Sequence, residues 1–180
     1  MCANYFGYVS TEVKPDGKYK DKAAYYIYFW VPAVIDEVGV SMYSPSDKKP
    51  GEKDFKHSVF DSGMSKDPQA YFDTFLVLER MDIIDPTKIK GGGKVFGELA
   101  SNDDSSEMHA NPGGQTYNSL LRHASEPNDP LKALVRGVYR ITFTSFRGGV
   151  TGSYIATIGT NIPGVVVASS LEELHKLVNK

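Results

Sequence analysis

The sequence predicts a single antiparallel β-sandwich decorated by two or three short helices, and three observations carry that expectation. Aromatic residues are numerous and unevenly chosen, with 11 Tyr and 9 Phe against 1 Trp; such side chains fit the pleated, half-buried surface of a strand. The 17 Gly and 10 Pro supply the turns that many short strands require. Apolar runs are short, with no helix–strand alternation of the kind that builds a parallel sheet. A chain of 180 residues suits one domain, over 1–180, and can bury a core that needs no disulfide or zinc staple.

Residues 5–9 (Tyr-Phe-Gly-Tyr-Val) read as a first strand, and Pro15-Asp16-Gly17 as a turn. The strongest strand is 25–31, Tyr-Tyr-Ile-Tyr-Phe-Trp-Val, which is apolar on both faces and therefore central. Pro32 ends it and suits the first turn of a short helix over 33–37. Residues 38–44 read as another strand, followed by a polar loop to about Gln69. Strand character resumes at 72–81, and again at 94–99 after the flexible Gly91-Gly92-Gly93. The polar loop over 100–114 is long for a compact domain, which makes it the first place to look for a site.

Residues 131–135 suggest one helical turn. Over 137–146, Tyr139, Ile141 and Phe143 alternate with Arg140, Thr142 and Thr144, the pattern of a half-buried strand. Gly148-Gly149 is then expected to turn the chain into a hairpin whose second strand is 153–158. A C-terminal helix is announced by Ser170 and Glu173 at capping-box spacing, with Leu171, Leu174 and Val178 on one stripe. The count comes to seven or eight strands.

Charge and motifs exclude several functions. A net charge of −2 with no basic run argues against nucleic-acid binding. The most apolar stretch, 23–35, has about half the length of a membrane span and is interrupted by Pro32. No nucleophile elbow is present, and Gly91-Gly92-Gly93-Lys94 lacks the spacing and the hydroxyl residue of a phosphate loop. His57, His109, His123 and His175 form no metal-binding helix pair. The chain does not read as an enzyme.

Two features point elsewhere. Cys2 is the one cysteine, so neither a disulfide framework nor a thiolate zinc site is available. The start Met1-Cys2-Ala3 fits a mature lipoprotein in which an initiator Met stands in place of the signal peptide, with Cys2 as the lipidated residue. The plain alternative is a free terminal thiol. The second feature is oxygen-rich. Asp103 and Asp104 lie in the long loop beside Ser105, Ser106 and Glu107, and Asp73-Thr74 opens a strand. Calcium takes six to eight oxygen ligands, and a divalent cation relieves the repulsion between adjacent carboxylates. The spacing is not that of an EF-hand, and an Asp-Asp pair in a loop also reads as a solvated turn.

The run Lys22-Ala23-Ala24-Tyr25-Tyr26-Ile27-Tyr28-Phe29-Trp30-Val31-Pro32-Ala33-Val34-Ile35 resembles the leptospiral major outer-membrane surface lipoprotein family. The likeness recurs at Phe72-Asp73-Thr74, Tyr117-Asn118-Ser119-Leu120 and Leu134-Val135-Arg136-Gly137-Val138-Tyr139-Arg140-Ile141, in matching order. This resemblance implies a jelly-roll-like sandwich, a lipid anchor on Cys2 and residence at the bacterial outer membrane or cell surface. It also implies binding of Ca2+ and of extracellular-matrix proteins. The implied calcium ligands are Asp73, Thr74, Asp103, Asp104 and Tyr117, with Tyr117 offering its backbone carbonyl.

The chain departs from the family in carrying fewer acidic residues in the loop, Asn102-Asp103-Asp104-Ser105-Ser106-Glu107, which implies weaker binding. It also lacks the family's long segment before the first strand and most of its lysine-rich C-terminal extension. The leading expectation is a surface lipoprotein with one structural calcium ion. The alternative is an adhesin-like module, hinted at by Lys176 and Lys180. A metal-assisted hydrolase is a third reading and lacks a general base placed near an open metal position.

Overall fold

The computed structural model describes all of residues 1–180, with strands β1 (Cys2–Val9), β2 (Gly17–Tyr19), β3 (Lys22–Val31), β4 (Glu37–Tyr43) and β5 (Phe55–Lys56) in the N-terminal part. Helix α1 (Phe60–Lys66) precedes β6 (Thr74–Met81), and a 3-10 helix (Pro86–Gly91) precedes β7 (Val95–Asn102). The chain continues through β8 (Ser119–Ala124), β9 (Gly137–Ser145), β10 (Gly152–Thr160) and β11 (Val166–Ala168) to helix α2 (Leu171–Val178).

One sheet has the order β5-β1-β10-β4-β8, and the other β11-β3-β9-β6-β7 with β2 added on β3. Among the eight long strands the first pairs with the last (β1 and β10), the second with the seventh (β3 and β9), the third with the sixth (β4 and β8), and the fourth with the fifth (β6 and β7). Successive pairs fall in alternate sheets. This is one long antiparallel hairpin rolled around a core, a jelly roll, as the resemblance implies. The single parallel contact is β1 with the two-residue β5.

Rolling explains why the expected hairpin over 137–158 does not form. β9 lies between β3 and β6, β10 lies between β1 and β4, and the turn at Gly148-Gly149 carries the chain from one sheet to the other. β9 is also buried along nearly its whole length rather than half-buried. Thr142 and Thr144 are covered because their hydroxyls donate to Glu79 Oε2 at 2.5 Å and to the Ala23 carbonyl at 2.7 Å. Above them, Arg140 pairs with Glu79 and lies 4.0 Å from the centre of the Tyr26 ring.

The main core has 22 buried residues drawn from both inner faces, among them Tyr5, Ile27, Phe29, Met42, Leu76, Ile141, Phe143 and Ile158. Two smaller clusters form on the outer faces. Phe6, Tyr8 and Ile155 are roofed by Phe60 of α1, while Trp30, Ile83 and Val138 pack against Ile89 of the 3-10 helix and Leu174 of α2. The peripheral helices thus cover apolar patches that an alternating strand would otherwise leave in water.

Other departures have local causes. No helix forms at 33–37, where Ile35 is buried and its amide donates to the Leu134 carbonyl as the chain crosses between sheets. The expected turn at 131–135 lies slightly earlier, closed by Lys132 and Ala133 amides on the Asp129 carbonyl. The polar stretch after β4 contains β5 and α1, and β2, β8 and β11 were not foreseen. At α2, Ser170 Oγ caps the Glu173 amide, but Glu173 reaches back to the amide of Ser169 rather than to that of Ser170.

The register sorts the loops to two ends. Cys2, paired with Gly159, shares one end with loops 32–36, 82–94, 125–136 and 161–165. Loops 103–118 and 146–151, and the segment leading into β6, occupy the other.

Candidate metal centre

β6 lies between β7 and β9, so the start of β6 sits beside the end of each neighbour: Leu76 faces Asn102, and Thr74 faces Ser145. Asp73, Asp103 and Tyr117, just outside β6, β7 and β8, therefore gather at one end of the sandwich. Asn102 bends the chain there, donating its side-chain amide to the Leu120 carbonyl at 2.6 Å and accepting the Asp103 amide at 2.9 Å. The Ser105 amide donates to the Asn118 carbonyl at 3.0 Å, tucking the acidic loop toward β8.

Thr74 is fully buried. Its amide and its hydroxyl both donate to the Tyr117 carbonyl, at 3.0 and 3.2 Å. Ser119 Oγ donates to the Thr74 carbonyl at 2.6 Å. Asn118, also fully buried, accepts the Ser44 amide and donates to the His109 carbonyl. Thr74 and Tyr117 thus form part of a hydrogen-bonded frame joining β6 to the segment before β8.

Asp73 is 6% exposed, and its Oδ1 is buried with no hydrogen-bond partner. Its carbonyl accepts the Phe146 amide, and Oδ2 stands 3.8 Å from Arg147 Nε. Burial first, and then the negative charge of Asp104, push the Asp73 carboxyl up to about 6, against smaller opposing effects of Arg147 and Lys22. Desolvation and the neighbouring Asp103 likewise raise Asp104 above the usual carboxylate range. Asp73, Asp103 and Asp104 therefore feel one another as like charges.

The donor set is hard oxygen throughout, the chemistry that calcium takes. Two details qualify the fit. Arg147 stands beside Asp73 and also donates to the Tyr117 hydroxyl at 3.1 Å, with its guanidinium 5.4 Å from the centre of that ring. No three His, Cys, Asp or Glu side chains converge as a ready metal-ligating group. The carboxylates lie in one neighbourhood and share one field without being drawn together. Arg147, Asn118 and Ser119 were not foreseen as parts of this site. The signal that identifies Arg147 is the β6–β9 register, which is non-local. Cys2 is exposed at the opposite end, far from these residues.

Fold and site together define a jelly-roll β-sandwich with an acidic, oxygen-lined end and a lone cysteine at the other. The chain belongs to a family of surface lipoproteins of the order Spirochaetales, whose model matches residues 1–167. No curated protein matches the sequence significantly. No helix is long and apolar enough to cross a membrane.

Proposed function

We propose that this surface lipoprotein is a non-enzymatic protein of the spirochaete outer membrane, lipid-anchored through Cys2, whose acidic end holds one structural calcium ion. The observation that carries the calcium reading is Asp73: a buried carboxylate with an unpartnered oxygen, its pKa raised by burial and by Asp104. Asp73, Asp103 and Asp104 would hold the ion, with Thr74 and Tyr117 as further oxygen donors. The ion would supply the positive charge that these carboxylates lack. For Tyr117 to contribute its carbonyl, the two donors from Thr74 must shift, so the shell would tighten on binding.

Calorimetric titration of chelator-stripped protein, with magnesium as the control, tests this reading. One-site heat selective for calcium and a raised melting temperature are expected. A ligand confined to the folded state adds ~2.7 kcal/mol at a hundredfold excess over its Kd. Both responses should vanish in Asp73→Asn and weaken in Asp103→Asn and Asp104→Asn. A flat titration with no thermal shift sinks the calcium reading and leaves the fold and family as they stand.

A second reading, adhesion to a matrix protein, draws support from a different place than Lys176, whose charge is paired with Glu172 at 2.8 Å. Next to the acidic end, Tyr19, Phe75 and Phe146 form a strip of rings, with Lys20 over Tyr19 and Lys22 over Phe146. Saturable binding to an immobilised matrix protein that is lost in Phe146→Ala would favour it. Binding unchanged in that variant would count against it.

A further inference from the structure

We infer that the Cys2 end of the sandwich is a lipid-docking surface, with Val34, Ile84 and Leu131 entering the membrane interface and the acidic end held away from it. The inference rests on the lipid anchor proposed for Cys2 and adds an orientation to it.

The exposed apolar side chains are unevenly placed. Apart from Met1, the three most exposed are Val34, Ile84 and Leu131, at 68%, 65% and 57%. All lie on loops at the Cys2 end, on 32–36, 82–94 and 125–136. Phe96, 44% exposed, is near the start of β7 at that same end. Apolar residues at loop tips gain nothing from water, and Val34, Ile84 and Leu131 stand largely uncovered.

The loops that carry them are braced against one another. The Ile35 amide donates to the Leu134 carbonyl at 3.1 Å, and the Val138 amide to the Ile83 carbonyl at 2.9 Å. The Ser125 amide donates to the Asp36 carbonyl at 2.7 Å, and the Asp36 amide to Asn161 Oδ1 at 3.2 Å. The result is a fixed rim rather than a set of loose tips, so little conformational freedom is lost on contact.

The position of Cys2 decides what meets this rim. Cys2 opens β1 and pairs with Gly159 near the end of β10, which places it within the rim. A lipid on Cys2 Sγ therefore leaves almost no tether between the membrane and the domain. At so short a distance the effective concentration of bilayer at the rim is high, and a weak apolar contact suffices. The rim mixes acidic Asp82, Asp85 and Glu126 with basic Lys88 and Arg136, so the attraction is apolar rather than electrostatic. β10 spans 9 residues. At roughly 3.3 Å per residue this puts the acidic end roughly 30 Å from the rim, facing outward.

The test couples the single cysteine to a maleimide phospholipid in phosphatidylcholine nanodiscs containing a doxyl-labelled lipid, and follows methyl NMR signals. Paramagnetic broadening several-fold stronger at Val34, Ile84 and Leu131 than at Val13 and Val150 of the far end is expected. The broadening should be no greater in phosphatidylglycerol discs, and at the neighbouring Ala33 and Ile83 methyls it should drop on the combined change of the three residues to Ser. Equal broadening at both ends, or none at the three residues, overturns the docking. Labelled palmitate incorporated in cells by the wild type but not by Cys2→Ser tests the anchor separately. Its absence overturns anchor and docking together, whereas incorporation with uniform broadening overturns the docking alone.

Discussion

One oxygen of the buried Asp73 carboxylate stands 3.8 Å from Arg147 Nε, while the other oxygen meets no donor. Arg147 is itself largely exposed, so its attraction is screened by solvent and salt. It stabilises Asp73 only partially and competes with any cation drawn to the same carboxylate. Arg147→Gln is therefore expected to tighten calcium binding by about threefold to tenfold, or roughly 0.7–1.4 kcal/mol, while lowering the melting temperature of the calcium-free protein. Calorimetry on wild type and variant at low salt checks both. Weaker calcium binding in the variant would place Arg147 among the groups that assist the ion.

The raised Asp73 carboxyl makes a pH prediction of definite sign. A carboxyl whose folded-state value is raised contributes stability below the unfolded value, and that contribution is lost as pH rises through the folded one. Without calcium, the Asp73 contribution should therefore fall between about pH 4 and about pH 6 and be absent at pH 7. Calcium requires the ionised form, so the calcium-induced rise in melting temperature should be full at pH 7 and shrink below about 6. Asp73→Asn should remove the calcium increment at every pH and flatten the calcium-free profile over this window. Melting curves with and without calcium from pH 4 to pH 8 read both effects.

Glu79 and Arg140 make a bidentate pair, at 2.7 and 3.0 Å, on the outer face of the second sheet, and Thr142 adds its hydroxyl to Glu79. Glu79 is 8% exposed. Removing one member strands the other, which costs on the order of 3 kcal/mol, whereas replacing both by apolar groups of like shape is often nearly neutral. Chemical denaturation should show Glu79→Ala destabilised by about that amount, with Glu79→Leu/Arg140→Met recovering most of it. A double variant as weak as the single one would show that the pair is worth more than its apolar replacement.

The second sheet also shows what was legible in the sequence. β3 was, because seven consecutive apolar or aromatic residues, buried on the inner face and at least half-buried on the outer, leave few alternatives to a central strand. α2 was, because its cap and stripe are local signals. The partner of β9 was not. Gly148-Gly149 would serve a hairpin or a crossing equally well, and only first-with-last pairing of the rolled strands decides between them. Of the candidate site, the residue types and the acidic loop could be read along the chain, but their gathering at one end follows from the β6–β7 and β6–β9 registers. Arg147 escaped notice for that reason, being distant in sequence from every acidic residue it faces.

Gly152 joins the strand frame to the acidic end, and it predicts a sharper test than a surface change would. Its φ is +135°, a conformation L side chains rarely adopt, and a Cβ there would collide with the Ala70 carbonyl and the Tyr71 amide. Those atoms belong to the segment that delivers Phe72 and Asp73 to the head of β6. Gly152→Ala must strain β10 or push that segment aside, at a cost of about 1–3 kcal/mol. It should also displace Asp73 and reduce the calcium response beyond what lost stability alone explains. Gly97 is the control, since it also lies in a strand, and its Cβ would meet nothing within 4 Å. Gly97→Ala should stay within about 0.5 kcal/mol of wild type and keep the full calcium response. If both variants lose calcium equally, the acidic end is governed by global stability. If Gly152→Ala alone loses it, the segment from Ala70 to Asp73 is what holds the carboxylate in place.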